Sequence, residues 1–148
     1  MAGITELEQL LSSMSPCLLE DEVVFCHVKG ALKEYTKLEL IATFIEAEGL
    51  TLVLPKAEAV KAKLSFESVF QQITLNVHSS LEAVGLTAAV SSKLADKGIS
   101  ANVIAAYYHD HIFVPSLEAQ KALLALLALQ EFSDDKSSND GASNDRCH

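Results

Sequence analysis

The sequence predicts an α+β fold made of two tandem copies of a small strand–helix–strand unit, the first copy abbreviated. Three observations predict it. Segments with apolar residues at every second position alternate along the chain with segments of helical period. A short motif recurs: EAEGLTLVL (46–54) matches ADKGISANV (95–103) at an offset of 49, with Gly49 on Gly98, Leu50 on Ile99 and Thr51 on Ser100. At the same offset Val24, Cys26 and Val28 fall on Ile73, Leu75 and Val77. Self-similarity at fixed spacing argues for a duplicated unit. Finally, 49% of the 148 residues are hydrophobic, enough for a packed core.

The elements follow in order. Thr5-x-x-Glu8 has the spacing of a capping box, and Leu7, Leu10, Leu11 and Met14 recur at helical spacing until Pro16 ends the run. EDEVVFCHV (20–28) is rich in branched and aromatic residues and reads as a strand. KLELIATFIEAE (37–48) places Leu38, Ile41 and Ile45 on one helical face beside Phe44. Gly49 stands where a left-handed cap would close that helix. LTLVLP (50–55) is a short buried strand and KAEAVKAKL (56–64) a surface helix.

The second copy is clearer. In SVFQQITLNVH (68–78), Ile73, Leu75 and Val77 alternate with Thr74, Asn76 and His78, the period of a strand with one face in the core. GLTAAVSSKLADK puts Leu86, Ala89, Val90 and Leu94 on one helical face, and Gly98 ends it. ISANVIAAYY and HIFVP are strands close enough to form only a hairpin, with His109 and Asp110 at its tip. Ser116 is positioned to cap the last helix, LEAQKALLALLALQEF. Its apolar stripe is wide enough to predict burial on two sides, against its own sheet and a neighbouring domain or subunit. The predicted organisation is an N-terminal domain over 1–64, a C-terminal domain over 65–132 and a disordered tail over 133–148. That tail is polar and lacks aromatics. Strand–helix–strand–strand–helix is the split βαβ arrangement of ferredoxin-like folds, with helices on one face of an antiparallel sheet.

Composition narrows the function. The net charge is −9 with no basic cluster, which disfavours nucleic acid as a partner. No apolar run reaches the ~18 residues of a membrane span, and the N-terminus lacks the basic region of a secretory signal. Three cysteines without a CxxC suggest neither a disulfide framework nor a cysteine zinc site and fit a reducing, cytoplasmic setting.

The stretch VGLTAAVSSKLADKGISANVIAAYYHDHIFVP (84–115) resembles an ACT domain. That family has a Gly near the start of its first helix, then a Leu-small-x-x-Gly-Ile-[Asn/Ser] passage into the second strand. Here these are Gly85, Leu94, Ala95, Gly98, Ile99 and Ser100. EAEGLT, HSSLEAVGL and YYHDHIFVP together resemble short proteins with two tandem ACT domains. They are also similar to one half of the eukaryotic cytosolic arginine sensors, whose aromatic-x-x-Asp-x-aliphatic segment is matched by Tyr107, Asp110 and Ile112. The resemblance implies two ferredoxin-like ACT repeats and a non-catalytic regulatory protein that binds a small effector, an amino acid above all, without a cofactor. The implied ligand site is the strand–helix turn near 83–87: Val84, standing where the family has an acidic residue, with Gly85, Leu86 and Thr87. Tyr107 and Asp110 complete it.

The chemistry is coherent. Gly at a helix start lets a ligand approach the backbone. The first helical N–H groups lack intrahelical partners and attract a carboxylate. Asp110 can receive an ammonium or a basic side chain. Each residue also has a plainer reading: Gly85 as a tight turn, Asp110 as a hairpin residue, Tyr107 as a sheet aromatic. His109-x-His111 with His78 makes a metal sensor one alternative function. A structural module that forms homo-oligomers through the leucine stripe at 117–129 is another. Catalysis finds no support: Cys26 and His27 are neighbours that face opposite sides of a strand, Glu46 and Glu48 do not share a helix face, and no GxSxG, HExxH or phosphate loop occurs.

Overall fold

The computed structural model describes residues 3–77 and 84–134. In order these form α1 (Gly3–Ser12), β1 (Pro16–Val28), a 3-10 turn (Leu32–Tyr35), β2 (Ala42–Glu46), β3 (Gly49–Pro55) and α2 (Lys56–Lys61). The second half comprises β4 (Phe70–Leu75), α3 (Leu86–Asp96), β5 (Asn102–Ala105), β6 (Asp110–Pro115), a 3-10 turn (Ser116–Glu118) and α4 (Ala119–Asp134). The six strands form one antiparallel, curled sheet in the order β2-β3-β1-β4-β6-β5.

That order reads the same from either edge. β1 pairs with β3 as β4 pairs with β6. Val23 lies opposite Pro55 and Phe70 opposite Pro115, so Val23 and Phe70 hold matching places in the two halves, and they also pair with each other across the seam. β1 is long because its first part pairs with β4 and its second with β3. An irregularity between Leu18 and Glu22 bends it where the partner changes.

Directly paired residues point to the same side of a sheet. Leu18, Ile73 and Ile112 therefore face together, as do Val24 with Leu54, Cys26 with Leu52 and Val28 with Leu50. This face carries the helices. Over the second half, Ile73, Leu75, Ile112 and Val114 pack against Leu11 and Met14, against Leu86, Val90 and Leu94 of α3, and against Ala122 and Leu126 of α4. Over the first half, Val24, Leu52 and Leu54 pack against Ala59 of α2, with Tyr35, Leu38 and Phe66 closing the margin. A fully buried leucine such as Leu52 or Leu126 contributes about 1.5–3 kcal/mol. The α+β class, the antiparallel sheet with helices on one face and the abbreviated first repeat are all present.

Several expectations are corrected. The helix expected over 37–48 is absent. The 3-10 turn lies just before it, and Ala42–Glu46 is an edge strand paired with β3 from Ala42↔Val53 to Glu46↔Gly49. The backbone groups of β3 need a partner, and that demand outweighs a weak local period. Gly49 thus follows a hairpin turn rather than a helix. α1 starts at Gly3, so Thr5 lies inside it rather than at its N-cap position. The two-sided burial of α4 needs no second subunit, since α1 and α3 of the same chain supply it. Leu7, Leu10 and Leu11 join the core that holds Leu123 and Leu126, and Gln130 donates to the Ser12 carbonyl at 3.0 Å. Ser116 does not cap α4: its hydroxyl lies 3.1 Å from Glu22 Oε2 and 3.2 Å from Gln71 Oε1. α4 extends to Asp134; the rest of the expected tail lies outside the described residues.

The repeat is real, but its register differs from the sequence motif. β3–α2 corresponds to β6–α4 at an offset of 60, where PKAEAVKA (55–62) matches PSLEAQKA (115–122). Pro55 and Pro115 have nearly the same backbone (φ −58°, ψ 141° and φ −55°, ψ 135°), and Ala59 and Ala119 are both buried beneath their helices.

Candidate functional site

Gly85 precedes α3 with φ +106°, ψ −27°, a conformation that L side chains rarely adopt. A methyl group there would lie 3.2 Å from both terminal carbons of Leu7, so α1 closes over the turn at this point. The carbonyl of Gly85 accepts the first helical bond, from Ala89 at 2.9 Å. Glycine has no side chain to cap the amides that follow, and the first turn of α3 carries no acidic residue. Leu86 points into the core, so its side chain is closed to a ligand. Val84 is exposed, and Thr87 stands at the surface.

The hairpin between β5 and β6 turns two residues earlier than expected. Ala106 donates to the His109 carbonyl at 3.0 Å, so Tyr107 and Tyr108 form the tip and Asp110 is the first residue of β6. Asp110 lies opposite Leu75 and Ala105 and therefore faces the helix side, half-buried. Leu75 is the last residue of β4, so Asp110 lies at the end of the sheet where that strand finishes. His109 Nδ1 donates to the Val77 carbonyl at 3.4 Å, tying the hairpin to the residues that follow β4. Tyr107 is exposed and meets Tyr108 edge-on, with ring centres 5.0 Å apart.

His111 points to the opposite, helix-free face. Its Nδ1 accepts from Gln72 Nε2 at 3.1 Å and lies 3.0 Å from Thr74 Oγ1, which itself accepts from Gln72 at 2.9 Å. Burial holds the His111 pKa below the ordinary imidazole value. The neighbouring His109 adds to this and Asp110 opposes it. The rings of His109 and His111 are 6.5 Å apart, but no group of three metal-ligating side chains occurs among the described residues. His78 lies outside them. Cys26 and His27 face opposite sides of β1: Cys26 is buried against the helix-side core and burial pushes its thiol pKa up, whereas His27 is exposed.

Sequence reasoning missed a cavity on the helix-free face. About 440 Å³ in volume, it is lined by Phe25 and His27 of β1, by residues 65–68, and by Phe70 and Asn102. Phe25 meets Phe70 edge-on at 5.4 Å and Phe113 at 5.6 Å. The lining comes from three segments far apart in sequence, so no local pattern announces it. The nearest available signal was an aromatic residue on each of β1 and β4, Phe25 and Phe70.

Comparison with known proteins agrees with this fold. The ACT domain family matches twice in tandem, over residues 2–71 and 67–128. A Vibrio cholerae protein of unknown function, described as a possible transport protein, is 59% identical with a TM-score of 0.79, covering 86% of this chain and 98% of that one. An Agrobacterium tumefaciens protein superposes with a TM-score of 0.66 at 14% identity, covering 78% and 87%. The regulatory subunit of aspartate kinase from Thermus thermophilus, in ligand-free form, gives 0.59 at 11% identity, covering 80% and 97%; this likeness shows the fold. No curated protein matches. Among the described residues, no helix is long and apolar enough to cross a membrane.

Proposed function

Because the chain belongs to the ACT domain family, we propose that this regulatory module is a non-catalytic, cytoplasmic sensor of a free amino acid, with halves spanning 1–64 and 65–132. The observation that supports this reading is the left-handed Gly85 that opens α3; the reading pairs it with Asp110, half-buried on the helix side of β6. In this reading the amides of Leu86 and Thr87 take the α-carboxylate, where the helix dipole and the N–H groups of the first turn, which have no intrahelical partner, coincide. Asp110 takes the ammonium or a basic side chain, and Val84 and Tyr107 wall the ligand. Occupancy shifts the packing of α1, through Leu7, against α3; a ligand shifts such an equilibrium only by its differential affinity for the two packings.

The experiment is a thermal-unfolding screen against the twenty amino acids at millimolar concentration. A binder present at a hundredfold excess over its dissociation constant adds about 2.7 kcal/mol of stability. The reading predicts a shift for one chemical class of amino acid, reduced in Asp110→Asn. No shift with any of them removes its support.

A second reading, self-assembly, has one specific observation behind it. β2 is an edge strand, and Phe44 on one face and Ile45 on the other are 69% and 78% exposed. Apolar edge strands invite pairing with another chain. Mass in solution that drops from dimer to monomer in Phe44→Lys would favour it; a monomeric wild type would remove it.

A further inference from the structure

We infer that the cavity on the helix-free face is a second ligand site, distinct from the Gly85 turn, and that it takes an arylalkylamine cation. Three features define the chemistry. First, the floor is aromatic: Phe25 and Phe70 form an edge-on pair, and Phe113 packs behind Phe25. An apolar ring inserted there replaces water on an apolar surface.

Second, the polar wall is rich in acceptors. His27 Nε2 lies 3.0 Å from the Glu48 carbonyl, which can only accept, so Nε2 donates to it and Nδ1 is the ring nitrogen left for another partner. The ring is also held in place from behind, because it stacks against Gly49 so closely that a methyl group there would collide with Nε2. Ser65, Glu67, Ser68 and Asn102 complete the lining.

Third, no lysine or arginine lines the cavity, and the whole chain carries −9. A carboxylate would find no cationic partner there and would face Glu67, whereas an ammonium would find an anion and several lone pairs. The cavity therefore discriminates against amino acids and in favour of their decarboxylated, ring-bearing counterparts. Its volume of about 440 Å³ lies within the ordinary range for small-molecule pockets. The site draws on β1 of the first half, the connection between halves and β5 of the second, so an occupant braces the two halves against each other.

The test uses the full chain and a matched pair of probes, phenethylamine and 3-phenylpropionate, titrated with two-dimensional amide NMR as the readout. Phenethylamine is expected to bind saturably, at about millimolar concentration for so small a ligand. Its shifts should map to residues 25–27, 65–70 and 102. 3-Phenylpropionate is expected to bind at least about fivefold more weakly, the effect of a single partly solvated charge. Glu67→Gln changes an exposed side chain and leaves the fold intact; it should bring the two probes to similar affinity, while Asp110→Asn leaves both titrations unchanged. Absence of saturable binding, equal affinity for both probes in the wild type, or shifts centred on Gly85 and Asp110 would each overturn the assignment. Because the two sites are read by different residues and different probes, failure here leaves the amino-acid reading standing, and the reverse holds too.

Discussion

Replacing Gly85 with alanine tests whether the turn before α3 is built as described. Two costs arise from the geometry. At φ +106°, ψ −27° an L residue is strained by about 1–2 kcal/mol. The new methyl also meets Leu7 at 3.2 Å on two carbons, closer than comfortable packing distance, and shifting a packed α1 residue adds about 1 kcal/mol. Alanine returns about 0.4–1 kcal/mol by restricting the unfolded chain. The net expectation is a loss of about 1–2.5 kcal/mol, read by urea unfolding with linear extrapolation. Gly98→Ala is the internal control. Its φ of +74° carries strain, but nothing lies within 4 Å of the added methyl, so it should cost about 1 kcal/mol less than Gly85→Ala. In the double variant Leu7→Ala/Gly85→Ala the crowding disappears, so the two effects should fall short of additive. Equal losses at the two glycines, or strict additivity with Leu7→Ala, would refute the claim that α1 closes over this turn.

Three further outcomes follow from named side chains. Because the folded pKa of His111 lies below its unfolded value, its contribution to stability is complete above about pH 6.5 and is lost as pH falls through the folded pKa. Melting temperatures between pH 7.5 and pH 5 should show that loss in the wild type and a flatter profile in His111→Gln. Buried Cys26, with its thiol pKa raised, should resist iodoacetamide at pH 8 in the native protein and react once urea unfolds it, as followed by peptide mass. Ala59→Leu and Ala119→Leu should each cost about 1–3 kcal/mol in urea, since both alanines sit without exposure where a helix meets the sheet.

The strands were the most legible part of the chain. Ile73 and Leu75 alternate into the core as read, and the prolines after LTLVL and HIFV mark the points where β3 and β6 hand over to helices. α3 was legible from Leu86, Val90 and Leu94, all buried, and from Gly98, whose φ of +74° closes it. β2 was not, because ATFIE satisfies either period over five residues and its choice is made by an unpaired partner in β3. The offset of 49 followed two glycines that do different jobs, one after a hairpin turn and one after a helix. The repeat that the fold respects lies in Pro-x-x-Glu-Ala-x-Lys-Ala, where buried alanines let each helix approach the sheet. At the candidate site, the peculiarity of Gly85 was legible. The covering Leu7 was not, because it comes from a segment some eighty residues earlier.

The central claim is that the amides opening α3 and the carboxylate of Asp110 hold one amino acid between them. Its most direct test is an amide NMR titration of the isotope-labelled chain with whichever amino acid gives the largest thermal shift. The account predicts saturable movement centred on Leu86, Thr87 and Asp110, reached only at higher ligand concentration in Asp110→Asn without loss of fold. Saturation with those three resonances stationary would contradict it.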